Sequence, residues 1–202
     1  MKTHKQISSV LILIACLLPL TLSGCKKELQ IGQERIVESS DKRAPKWVSQ
    51  PPKKTRKYYY FVGEDTSYKN TDRYAYQVAL SKAGSFFNTR ATSTFKRVEN
   101  STNAFEANVL REEFIKNTSE AGIKGALHKD TYWEKVEKLT ENGIKYFYRV
   151  YVLIALDRKS IKATEEATLQ LQEEKAQTAE LKASLKAIRN EIREAYNKEE
   201  NN

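Results

Sequence analysis

The chain has 202 residues, with 35 Lys and Arg against 26 Asp and Glu and a formal charge of +9. Two cysteines, Cys16 and Cys25, exclude a disulfide-stapled scaffold, and two histidines leave little for His-based catalysis or a zinc site. Seven glycines, none in GxGxxG or GxxxxGK spacing, exclude a phosphate-cradling loop.

The first segment carries the strongest signal. Lys2 and Lys5 precede an apolar run from Ile7 to Leu22, and small residues close it in Leu22-Ser23-Gly24-Cys25. A basic start, an apolar core and a small pair ahead of a cysteine match a bacterial lipoprotein signal, or lipobox: residues 1–24 are removed and Cys25 receives diacylglycerol and fatty acyl chains. Two other readings are an uncleaved membrane helix and ordinary cleavage that leaves Cys25 a free thiol. The run of 16 residues contains Pro19 and falls short of the roughly 20 residues that span a bilayer, which argues against the first. Two or three acyl chains would hold the protein to a membrane through about 0.8 kcal/mol per buried methylene. Lys26 stands after the cysteine in place of an inner-membrane retention aspartate, so the expected address is the outer membrane, facing the periplasm or the surface.

Loss of Lys2 and Lys5 with residues 1–24 lowers the charge from +9 to +7. A basic envelope domain suits anionic partners, lipid headgroups or cell-wall polymers, while the compartment excludes nucleic acid. A basic surface without a ligand is the plain alternative. Residues 25–57 contain Pro45, Pro51 and Pro52 and few large apolar residues, which reads as a lipidated tether ending in the basic run Lys53, Lys54, Arg56 and Lys57. The twenty residues from Cys25 to Pro45 would reach about 65 Å when extended. Trp47 is expected to dock on the domain as an aromatic plug.

Residues 58–157 carry the pattern of one domain. Tyr58-Tyr59-Tyr60-Phe61-Val62-Gly63 is aromatic and β-branched and predicts a strand. Asp72 precedes a helix in which Ala75, Ala79, Ala83 and Phe86 line one face. Thr89 to Val98 predicts a second strand or a continuation of that helix. Asn103 and Glu106 have capping-box spacing ahead of Phe105, Val109, Leu110 and Phe114, a second helix. The segments Ile123–Leu139 and Ile144–Asp157 flank Thr140-Glu141-Asn142-Gly143, and Asn-Gly predicts an antiparallel hairpin. In its second strand Ile144, Tyr146, Tyr148, Val150, Val152, Ile154 and Leu156 share one face. The fold class is therefore α+β: two helices packed on an antiparallel or mixed sheet of about four strands, followed by a long C-terminal helix.

Residues 158–202 contain neither Gly nor Pro and are rich in Ala, Leu, Glu, Lys and Gln, which predicts a long charged helix. Leu181, Leu185, Ile188 and Ile192 fall on one heptad seam, interrupted upstream by Glu174 and Thr178. That seam pairs with a partner helix or a second copy as a coiled coil, or docks back on the domain.

Catalytic groups are few. Once residues 1–24 are gone, His128 is the one histidine, and it reads as a surface residue of a strand. The adjacent acids Glu112-Glu113, Glu165-Glu166 and Glu173-Glu174 diverge by about 100° on a helix and share no substrate. No metal, cofactor or catalytic residue is expected.

Pro45-Lys46-Trp47-Val48 ahead of the aromatic strand, the alanine-rich helix through Ala75, Ala79 and Ala83, and the closing strand Tyr146-Phe147-Tyr148-Arg149-Val150-Tyr151-Val152-Leu153 together resemble the LPP-twenty family of bacterial lipoproteins. The domain of that family is similar to the N-terminal domain of the flagellar T-ring assembly protein. The resemblance covers residues 45–157 and carries no catalytic residue. It implies a non-enzymatic, outer-membrane or surface-exposed domain that works through protein contacts in the envelope, sometimes around the flagellar motor; the charged tail departs from it. Three readings follow. The first is an envelope structural or assembly factor, with Cys25 as anchor and the tail as recruiter. The second is a binder of peptidoglycan or another anionic cell-wall polymer, or an activator of cell-wall enzymes, through Lys53, Lys54, Arg56 and Lys57. The third, an enzyme, has the least support in the inventory of side chains.

Overall fold

The Asn142-Gly143 signal marks the hairpin around which the fold is built. The computed structural model, which describes residues 28–52, 54–96, 98–100 and 102–201, places β3 (Leu127–Thr140) and β4 (Gly143–Asp157) on either side of a two-residue turn. Gly143 adopts φ 99°, a left-handed conformation that glycine reaches without a Cβ penalty. β2 (Tyr58–Ser67) pairs with β4, and β1 (Glu34–Ser39) pairs with β3, so the sheet is antiparallel throughout in the order β1-β3-β4-β2. The α+β class read from the sequence is what the chain forms.

The membership of that sheet differs from the expectation in two places. Residues 89–95 belong to α2 (Arg73–Phe95), not to a strand. Ala75, Ala79, Ala83, Phe87, Ala91 and Phe95 recur every four residues and are all buried, so the helical stripe outlasts the threonines. Those threonines turn their hydroxyls inward along the helix, Thr89 to the Ser85 carbonyl at 3.0 Å and Thr94 to the Arg90 carbonyl at 2.8 Å. The fourth strand is β1, inside the segment read as a tether. Among the described residues of that segment, 34–39 join the sheet and Lys46–Ser49 form a short helix, α1.

α2 lies across β2 and β4 with backbone-to-backbone closeness. A Cβ on Gly63 would stand 1.8 Å from the Ala75 carbonyl oxygen and 2.6 Å from the Ala79 nitrogen, so only glycine under an alanine ridge permits this distance. Ala75 and Ala79 pack on Val150, Val152 and Ile154, and Ala83 and Phe87 pack on Tyr59 and Leu156. Phe86, expected on this ridge, lies partly buried at its side against Tyr59 and Phe61. The helix begins at Arg73 without a hydrogen bond to the Asp72 side chain.

α3 (Ala104–Lys124) is capped as its sequence indicates, the Asn103 side chain accepting from the Glu106 amide at 2.9 Å. Its buried residues are Ala107, Phe114, Thr118 and Gly122; Phe105 and Val109, expected in the apolar stripe, face solvent. The tail is not one helix. α4 (Arg158–Lys175) and α5 (Ala179–Asn201) are separated by a break at Ala176, whose ψ of 127° is extended. Thr178, which interrupts the heptad seam, restarts the helix by accepting from the Leu181 amide at 3.2 Å. The two helices fold into a hairpin on α2 and α3, and the seam closes inside the molecule. Leu181, Leu185, Ile188 and Ile192 are buried with Ala91, Phe95, Phe114 and Leu169 in one cluster. This corrects the reading of Leu181, Leu185, Ile188 and Ile192 as a surface for a partner helix: a stripe this apolar needs cover, and Phe95 and Phe114 supply it in cis. The change from strand to helix expected at Asp157 falls there, with no linker: β4 ends at Asp157, which caps α4 through the Ser160 amide at 2.9 Å.

A buried ion pair ties α4 to α2. Arg90 on α2 donates Nε to Glu165 Oε1 at 2.6 Å and Nη2 to Oε2 at 3.1 Å, a bidentate pair around a fully buried carboxylate on α4. Burial pushes Glu165 up from the ordinary carboxylate value, opposed by Arg90, and burial beside Glu165 pushes the Tyr196 phenol up as well. The guanidinium of Arg90 lies 5.0 Å, and that of Arg158 5.6 Å, from the Tyr196 ring centroid.

Candidate functional site

β1 and β2 are opposite edges of the sheet, so the chain between them crosses the sheet from side to side. It crosses on the face away from α2 and carries α1 with it. Val48 and Pro51 stand over Tyr60, Val62 and Tyr151, leaving a groove of about 380 Å³ that Glu64 and Lys82 also line. Trp47 docks here, half-buried, donating Nε1 to Asp130 Oδ2 at 2.8 Å. Lys82 reaches around the edge and donates to the Val62 carbonyl at 2.7 Å, satisfying an outward acceptor of an edge strand. Burial and the nearby Glu64 push the Tyr151 phenol up to about 12, so this wall of the groove is a neutral hydroxyl at physiological pH.

The crossing segment ends in the basic run, and the fold holds that run on a rigid turn. The Thr55 amide donates to the Tyr58 carbonyl at 2.8 Å, and the Tyr58 amide donates to Thr55 Oγ1 at 3.0 Å. From beneath, the buried Arg158 donates Nη1 to the Thr55 carbonyl at 2.9 Å, and its amide donates to the Lys57 carbonyl at 3.0 Å. Lys54, Arg56 and Lys57 project outward from this support, all exposed. Lys53 lies outside the described residues.

A cation that the sequence did not place there joins them. Lys129, on β3, sets its ammonium 4.6 Å from the Tyr58 ring centroid, and Lys57 stands 5.1 Å from the same ring. Tyr60 meets Tyr58 edge-on at 6.0 Å. The Tyr58 hydroxyl, and more weakly Asp157, raises the Lys57 pKa, so Lys57 keeps its charge through the whole physiological range. The result is a basic and aromatic patch of Lys54, Arg56, Lys57, Lys129, Tyr58 and Tyr60, with the apolar groove beside it. Such a surface binds anions by charge and offers the accessible edges of half-buried rings to flat or apolar groups. Lys129 and Arg158 are about 70 and 100 positions from the run, which is why sequence spacing gave no sign of either.

The remaining candidates fall elsewhere. His128 is exposed, with Nε2 2.8 Å from Thr131 Oγ1. Among the described residues no group of three His, Cys, Asp or Glu side chains is disposed to hold a metal ion, and no helix is long and apolar enough to cross a membrane. Glu112, Glu113 and Glu174 stay on helix surfaces or in partial burial, apart from one another's chemistry, and Glu173 pairs with Arg189 at 2.9 Å. Cys25 and residues 1–24, where the signal segment was expected, lie outside the described residues. No family model matches the chain, and neither the curated proteins nor the solved structures include a match to it.

Proposed function

We propose that this chain is a non-enzymatic bacterial lipoprotein, held by acyl chains on Cys25 at the outer membrane, that works through contacts made by its α+β domain and belongs with the LPP-twenty lipoproteins it resembles. Its contact surface is the basic and aromatic patch, and its partner is an envelope protein with an acidic surface. The observation that carries this reading is the placing of Lys57 and Lys129 against the Tyr58 ring, beside Lys54 and Arg56 on a turn that Arg158 holds in place. Lysines scattered for solubility need no such support, whereas a binding surface gains affinity when its groups are fixed before the partner arrives.

An anionic cell-wall polymer is the second reading, favoured by one feature. Tyr58 and Tyr60 leave rings beside the lysines, suited to stacking on sugar faces between anionic groups. Crosslinking in intact envelopes with the native protein and with Lys54→Glu/Arg56→Glu/Lys57→Glu tests the first reading: protein partners are lost from the charge-reversed variant. Retention of every partner overturns it. Sedimentation with purified cell wall tests the second: binding falls steeply as salt rises from about 0.05 to 0.5 M, where the Debye length shrinks severalfold. Salt-independent sedimentation, or none, refutes a polymer site at this patch.

A further inference from the structure

The sequence suggests a tether reaching far from the membrane, but the fold consumes it. The Gly32 amide donates to the Leu139 carbonyl at 2.7 Å, the Leu139 amide donates to the Gln33 carbonyl at 3.3 Å, and Glu34 pairs with Lys138. The chain therefore enters the sheet beside the β3–β4 turn. Five residue steps separate Cys25 from Gln30, where that entry turn begins, a reach of at most about 17 Å. Whatever holds Cys25 lies that close to Gln30, on the side of the sheet where the hairpin turns.

Among the described residues the tip itself lacks cover. β2 ends at the pair of Ser67 with Tyr148, so beyond this point β3 and β4 have β1 as their one strand neighbour among the described residues. α2 starts further back, its first turns lying over Gly63. The stripe on β4 that was expected to be buried from Ile144 onward is consequently bare at its start. Ile144 is 55% exposed and Tyr146 49% on one face of the hairpin, while Ile31 in the entry turn is 68% exposed and Ile36, set on the opposite face by its pairing with Val136, is 52% exposed. Charges at the tip nearly cancel, through Lys138 with Glu34, Arg35 with Glu137, and Lys135 with Glu38. Lys135 also lies 5.6 Å from the Tyr146 ring centroid, and tyrosine beside lysine is the pairing favoured at the headgroup level of a bilayer.

We propose that this tip seats on the bilayer that holds Cys25, with Ile31, Ile36, Ile144 and Tyr146 entering the headgroup layer. The proposal rests on the lipid-anchor reading of Cys25 and adds an orientation to it. β4 is 15 residues long, about 45 Å, and Tyr58 pairs with Asp157 at its far end. The basic patch would then stand at a set height above the membrane, presented to partners, instead of swinging on a flexible leash.

The test uses the full lipidated protein in vesicles of phosphatidylethanolamine and phosphatidylglycerol. After processing, Cys25 is the sole native cysteine and its sulfur is blocked as a diacylglyceryl thioether, so an environment-sensitive fluorophore is attached at Asn142→Cys on the turn or at Lys186→Cys on α5. Nitroxide-headgroup lipids are then added as quencher. The expected result is several-fold stronger quenching at position 142 than at 186, unchanged when the anionic lipid fraction is varied. Equal, weak quenching in protein that floats with the vesicles leaves the anchor standing and overturns the seating. Protein that fails to float overturns the anchor and the seating with it. Ile31→Ser/Ile144→Ser/Tyr146→Ser should float as before and lose the extra quenching at 142; undiminished quenching in that variant would overturn the role assigned to the apolar side chains.

Discussion

Leu185→Ala separates a seam that closes within one chain from a seam that joins two. Leu185 is fully buried in the helical cluster with Phe95, Phe114, Leu169 and Leu181. Truncation removes three carbons, about 2.4 kcal/mol of transfer free energy at about 0.8 kcal/mol each. Two rigid phenylalanine rings in the same cluster limit collapse around the cavity, which brings the expected loss to about 3–4 kcal/mol. With a urea m-value of about 2 kcal/mol/M for a domain of this size, the unfolding midpoint falls by about 1.5–2 M. The assay is urea denaturation followed by far-UV circular dichroism at two protein concentrations tenfold apart. A seam closed in cis gives midpoints independent of concentration in both proteins, and Lys186→Ala, an exposed neighbour, changes stability by less than about 0.5 kcal/mol. A native midpoint that climbs with concentration, or a Leu185→Ala loss below about 1 kcal/mol accompanied by a smaller sedimentation coefficient, would refute the closed seam.

The packing elsewhere leads to further expectations. Gly63→Ala forces α2 off the sheet, because the new methyl meets backbone at Ala75 and Ala79 instead of a yielding side chain, and a loss of about 1–3 kcal/mol or more should appear in thermal melts. Arg90→Met leaves the fully buried Glu165 without its partner and should cost about 3–5 kcal/mol at neutral pH, most of it recovered in Arg90→Met/Glu165→Leu. In the single variant Glu165 has a folded-state pKa raised further above its unfolded value, so the proton favours the folded state; the deficit shrinks as pH falls through the raised pKa and is gone below the ordinary value of 4.5. Glu34 runs the other way. Its hydrogen bond from Lys138, joined by Arg149, lowers its pKa below 4.5, so the stability it lends to the β1 edge is present above the ordinary value and lost as pH falls through the lowered one. The melting difference between the native protein and Glu34→Gln should therefore vanish in acid, and a difference that persists would exclude Glu34 as its source.

Local pattern was legible wherever a residue's neighbours in space are also its neighbours in sequence. Asn142-Gly143 made a hairpin because a left-handed glycine ends a tight turn in any context. The alanine ridge of α2, the helix cap at Asn103 and the basic run at Lys54, Arg56 and Lys57 could be read for the same reason. β1 could not: Glu34–Ser39 is an exposed edge strand with little alternation, and its pairing to β3 depends on residues a hundred positions away. The tail shows the division most clearly. Periodicity correctly identified Leu181, Leu185, Ile188 and Ile192 as residues that must be covered, since apolar stripes do not persist in water. Whether a second chain, a partner or the same molecule covers them is decided only when the break at Ala176 folds α5 back onto Phe95 and Phe114. In the same way the sequence supplied the charges of the patch, while Lys129 and the Arg158 support reached it through strand pairing. Periodicity records which side of an element avoids water, and only tertiary structure determines what that side meets.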